Sequence, residues 1–164
     1  MSWLARLRGD DDEPDEQQPP EPDEDSPAAL QAAIDELVRY VNARAGGLPP
    51  AALVNARMLT DTLTEVVDSA AVRPLDVYAV ISVRGVVGDY LPTTLRGYLA
   101  LEPDVRSVPR ADGHSPTQSL MMQIDSLQTS VSATLVATRE QDADALMTQG
   151  RFLQTKFNRS DLDL

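Results

Sequence analysis

From Ser26 onward the apolar side chains recur at three- and four-residue steps and almost nowhere alternate, which is the spacing of amphipathic helices. Ser26 is a good N-cap and Pro27 suits the first helical position, so Leu30, Ile34, Leu37, Val38 and Val41 predict a first helix. Gly46-Gly47 and Pro49-Pro50 stop it. A second helix is expected from about Pro50, with Leu53, Ala56, Leu59, Leu63, Val66, Val67 and Ala70 as its buried stripe. Asp61, Glu65 and Asp68 fall on the opposite side, and Pro74 ends the segment.

The third segment is less regular. Val77, Val80, Ile81, Val87, Leu91, Leu95, Tyr98 and Leu99 continue a helical stripe, although Val77–Val83 also has the β-branched content of a strand. No second strand is available to pair with it, so helix is expected over 75–90 and again over 92–101, with Pro92 forcing a kink or restart. Residues 102–115 read as the longest internal loop. Ser115-Pro116 repeats the start signature, and Leu120, Ile124, Leu127, Val131 and Leu135 carry a long helix. Its stripe weakens over Thr138–Asp144 and resumes at Leu146, Leu153 and Phe157, so either one long helix runs past the bundle edge or it breaks or bends near Gln141 with a second piece at 142–157, the latter being the preferred reading. The sum is an all-α fold, a four- to five-helix up-and-down bundle over 27–157 with a frayed tail at 158–164.

Charge places the N-terminal boundary. The 164 residues carry a net charge of −12, and residues 1–26 hold ten acids against two bases, or −8 of it. Gly9 to Ser26 also contains four prolines and no large apolar side chain, so 1–26 is expected to be a disordered acidic arm. Ahead of that run stands a short apolar peptide, in which Trp3, Leu4 and Leu7 share one side of a helical turn beside Arg6 and Arg8. It is suited to docking on another protein or touching a membrane surface. The acid excess gives no footprint for nucleic acid, and no apolar run is long enough to span a membrane. With no cysteine there is neither a disulfide framework nor a thiolate site.

Catalytic chemistry is hard to find in these residues. His114 is the only histidine; Asp112 and Ser115 stand near it, but in a Pro/Gly-flanked loop that offers nothing to position a triad. The pairs Asp10/Asp12, Asp142/Asp144 and Asp161/Asp163 read as solvated charges: the first and third fall in segments expected to be disordered, and on a helix the two positions of the middle pair point about 200° away from each other. No phosphate-cradling or nucleophile-elbow motif occurs. No catalytic residue, cofactor or metal ligand is therefore assigned. The distinctive stretch is Asp89–Leu101, where Tyr90 and Tyr98 lie about two turns apart with Thr93, Thr94 and Arg96 on the exposed side. The candidate partner-binding residues are Trp3, Leu4, Leu7, Tyr90, Thr93, Arg96 and Tyr98.

The pattern Tyr-Leu-Pro-Thr-Thr-Leu-x-x-Tyr-Leu-x-Leu, followed by Gly150-Arg-Phe-Leu-x-x-Lys-Phe157, resembles that of a group of helical proteins of actinobacteria. More remotely it is similar to the XpaC family, named for bromochloroindolyl phosphate hydrolysis and associated with toxic-anion-resistance TelA proteins. The resemblance implies a cytoplasmic or membrane-peripheral accessory protein in an envelope or stress context. The expected function is a non-enzymatic interaction module that binds another protein, its oligomeric state left open. The alternatives are a small metal-dependent phosphate-ester hydrolase, sensitive to Asp112→Asn or Asp89→Asn, and a nucleic-acid mimic acting through the acidic arm.

Overall fold

Ser26 and Ser115 set the two ends of the fold. In the computed structural model, which describes residues 23–160 with side chains at 23–144 and 146–148, both act as helix caps. Ser26 Oγ accepts the Ala29 amide and opens α1, Pro27–Ala43. Ser115 Oγ accepts the Gln118 amide while Gln118 Oε1 accepts the Ser115 amide, a reciprocal capping box that opens the last helix. Between them run α2, Pro50–Asp68; α3, Val77–Gly85; a five-residue π turn, Val86–Tyr90; and α4, Leu91–Leu99. Helix α5 covers Pro116–Ser160. No strand occurs among the described residues, so the all-α expectation holds.

Side-chain pairs give the helix directions. Arg57 donates to Asn42 Oδ1, making α1 and α2 an antiparallel hairpin. Ser82 meets Thr134, Thr94 meets Gln123 and Tyr98 meets Thr117, so α3–α4 runs antiparallel to α5. Gln128 reaches Thr62, Arg139 reaches Glu65 and Asp142 reaches Arg73; α2 and α5 therefore lie side by side and parallel. Direction alternates along the chain as expected, but the link from α2 to α3 crosses the end of the bundle. The core draws on every helix, with Ile34, Leu59, Leu63, Leu91, Leu95 and Ile124 almost wholly enclosed.

Pro92 does not restart the helix. The backbone stays helical through Tyr90 and Leu91, and the Leu91 amide donates to the Val86 carbonyl, five residues back. A proline ring clashes with the carbonyl four residues before it, and opening the preceding turn to the wider π spacing relieves that conflict without leaving the helix. The extra residue also lets the neighbours Val86 and Val87 both reach the core. Asp76 caps α3, so the helix begins at Val77 and not at 75, and α4 closes at Leu99 instead of 101.

The expected break near Gln141 is absent: α5 is one helix of 45 residues, about 68 Å at 1.5 Å per residue. Thr138–Asp144 lacks an apolar stripe because the bundle ends there. Thr138 is buried with its hydroxyl on the Thr134 carbonyl, and Arg73 donates to Gln141 Oε1 and Asp142 Oδ1. Asp142 is thus an ion-pair partner and not a freely solvated charge, whereas Asp144 is exposed. Beyond this point Leu146 and Met147 are exposed.

At the opposite end Arg106 closes the bundle. Its guanidinium donates to the carbonyls of Leu99, Leu101 and Gly47, tying the α1–α2 link to the end of α4, and it stands 5.0 Å over the Tyr98 ring. A Cβ at Gly47 would lie 2.7 Å from Leu99 Cδ2, so any larger residue there would make the Leu99 side chain shift.

Candidate functional site

Helix α3 is apolar nearly all round, and only part of that surface is used by the core. Ala79 and Val83 face inward, whereas Val77, Tyr78 and Ile81 are 62%, 81% and 61% exposed. The sequence stripe had placed Val77 and Ile81 inside. The buried line runs instead through Ala79, Val83, Val87 and Leu91, four residues apart at each step, and a small alanine at its start disguises it. Val77, Ile81 and Gly85 succeed one another on the outer face, with Tyr78 beside them. Tyr90 folds back onto this line: a Cβ at Gly85 would stand 3.0 Å from Tyr90 Cε2, so glycine leaves room for the ring.

Below Tyr90 the surface turns polar. Thr93 donates to Asp89 Oδ1 at 3.0 Å and Arg96 donates to the Thr93 hydroxyl at 3.1 Å, a short ladder along the exposed side of α4. Tyr90 and Thr93 also line a shallow groove of about 290 Å³ against Gln123 and Leu127 of α5. The fold thus sets Thr93 between Tyr90, with which it lines this groove, and Arg96, to which it is hydrogen-bonded, all on the exposed side, and turns Tyr98 inward. Tyr98 is buried, with its hydroxyl 3.0 Å from Thr117 Oγ1, and it belongs to the core. Trp3, Leu4 and Leu7 lie outside the described residues.

The N-terminus of α3 is held by Asp76, whose carboxylate accepts the amides of Tyr78 and Ala79. The Ala79 amide hydrogen bond holds its pKa below the usual carboxylate value, partial burial opposes the shift, and Gln141, Tyr78 and Arg73 reinforce it. A folded-state pKa below the unfolded one adds stability that is complete above the unfolded value of 3.8 and is lost as pH falls through the lower folded value. Asp76→Asn is therefore expected to flatten the acid limb of stability between about pH 5 and pH 2. Urea unfolding at stepped pH would reveal this.

Elsewhere the polar groups are dispersed. His114 Nδ1 stands 4.0 Å from Asp112 Oδ2, both side chains about half exposed, and Ser115 Oγ is occupied in capping α5. No group of three His, Cys, Asp or Glu side chains among the described residues is placed to hold a metal ion. No helix among them is long and apolar enough to cross a membrane.

Comparison of the chain with protein-family models, with curated proteins and with solved structures finds no match.

Proposed function

We propose that this chain is a non-catalytic interaction module whose partner protein docks on the outer face of α3, the π turn and α4. The supporting observation is the exposure of Val77, Tyr78 and Ile81 in one patch continued by Tyr90. Tyrosines such as Tyr78 and Tyr90 are among the side chains that carry most of the energy at interfaces, the apolar neighbours exclude water around them, and a polar border such as Asp89, Thr93 and Arg96 sets register. The π turn adds to this reading, since such insertions concentrate at functional sites. The resemblance to the XpaC family suggests an accessory role in an envelope or toxic-anion stress setting, in the cytoplasm or at a membrane periphery.

The test is covalent capture of partners by the full chain and by a Tyr78→Glu/Ile81→Glu variant. Both substitutions fall on exposed positions, so unfolding should change by less than about 0.5 kcal/mol per site. A partner captured by the parent chain and lost from the variant is the expected result. Identical capture by both, or none by either, overturns the assignment of this face. Metal-dependent turnover of a chromogenic phosphate ester by the purified chain would overturn the non-catalytic reading.

A further inference from the structure

A second surface lies between α1 and the interrupted helix. Two hollows of about 330 and 280 Å³ run into one another there, sharing Ala33, Val87 and Gly88. The floor is made of small or apolar side chains, and a Cβ added at Gly88 would meet nothing within 4 Å. Tyr40 lines the lower end beside Glu36, Leu37 and Pro92.

We infer that the chain's own N-terminal segment, Trp3 to Leu7, seats in this groove. The point of entry supports it. Glu24 lines the upper hollow, and Arg84 holds Glu24 and Asp25 there at 2.9 and 2.6 Å, so the chain leading back to residue 1 departs from the groove's mouth. Gly9–Pro22 supplies fourteen residues of tether, which reach up to about 46 Å when extended. From Ala29 to Tyr40 the groove follows α1 for only about 16 Å. A tether of this kind holds its peptide at an effective concentration of about a millimolar, enough to populate even weak docking.

Chemistry supports the same occupant. Met1, Trp3, Leu4 and Leu7 are the large apolar side chains ahead of Leu30, all within the first seven residues. Glu36 on the lower rim supplies a negative charge, and Arg6 and Arg8 flank Leu7 in the sequence with the complementary one. Groove and outer face are separate surfaces, so either can be filled without the other.

Trp3 is the only tryptophan, which makes it a direct reporter. The experiment measures emission maximum and acrylamide quenching of the full chain against N-acetyl-tryptophanamide. Docking predicts blue-shifted emission and quenching reduced severalfold, both independent of protein concentration. Gly88→Glu, which points a charge into open space on the groove floor, should return both to the free values with helical circular dichroism unchanged. Ala33→Glu should do the same from the opposite wall. Emission matching the free indole in the parent chain overturns the inference. So does a blue shift that grows with concentration, which would put a second copy in the groove, and so does a shift that survives both substitutions.

Discussion

Leu91→Ala is expected to destabilise the protein by about 3–5 kcal/mol, seen as a lower urea midpoint with an unchanged slope. Leu91 has no exposed surface and stands where the π turn passes into α4. Its truncation removes apolar contacts and leaves a cavity, and the cost depends on how far the surroundings collapse. Here they are constrained. The Leu91 amide is fixed to the Val86 carbonyl, and Pro92 locks the next backbone angle, so the helix cannot shift inward to fill the space. Met122→Ala on α5 is the control, because Met122 is 57% exposed and its loss should fall within about 0.5 kcal/mol of zero. Equal costs at the two sites would mean that α4 packs loosely.

Arg106→Ala should cost about 2–4 kcal/mol, an unusual amount for a residue outside the hydrophobic core. One guanidinium satisfies carbonyls of Gly47, Leu99 and Leu101 and covers the Tyr98 ring. Removing it leaves several part-buried acceptors unpaired at once. Arg106→Lys should recover less than half of the loss, since an ammonium is a point charge that cannot reach three carbonyls in one planar fork. Thermal and urea unfolding of both variants would measure this. Full rescue by lysine would reduce the residue's role to simple charge.

The two serine caps were legible because they are local, whereas the stop assigned to Pro74 was not: α2 already ends at Asp68. Ser26, Ser115 and their following prolines act through atoms within three residues, and the letters alone locate them. Features that depend on distant neighbours were not legible. Thr138–Asp144 reads as a broken stripe, yet the helix passes through it because Arg73, far away in sequence, takes Gln141 and Asp142. Likewise Val77 and Ile81 read as core because they are large, while the inward position belongs to Ala79. Of the candidate site, Tyr90, Thr93 and Arg96 could be found from their spacing. The π turn that carries Tyr90 back over Gly85 had no signal beyond Pro92 and the glycines near it.

The uninterrupted course of α5 past Asp142 turns residue count into bearing. One residue inserted between Asp144 and Leu146 would advance everything after it by about 1.5 Å and swing it about 100° around the axis. Seven inserted residues would carry it about 10 Å onward yet only about 20° from its original azimuth. Any contact made by Leu146 and Met147 should therefore tolerate a heptad spacer far better than a single added residue, a phase rule built into the longest element of the fold.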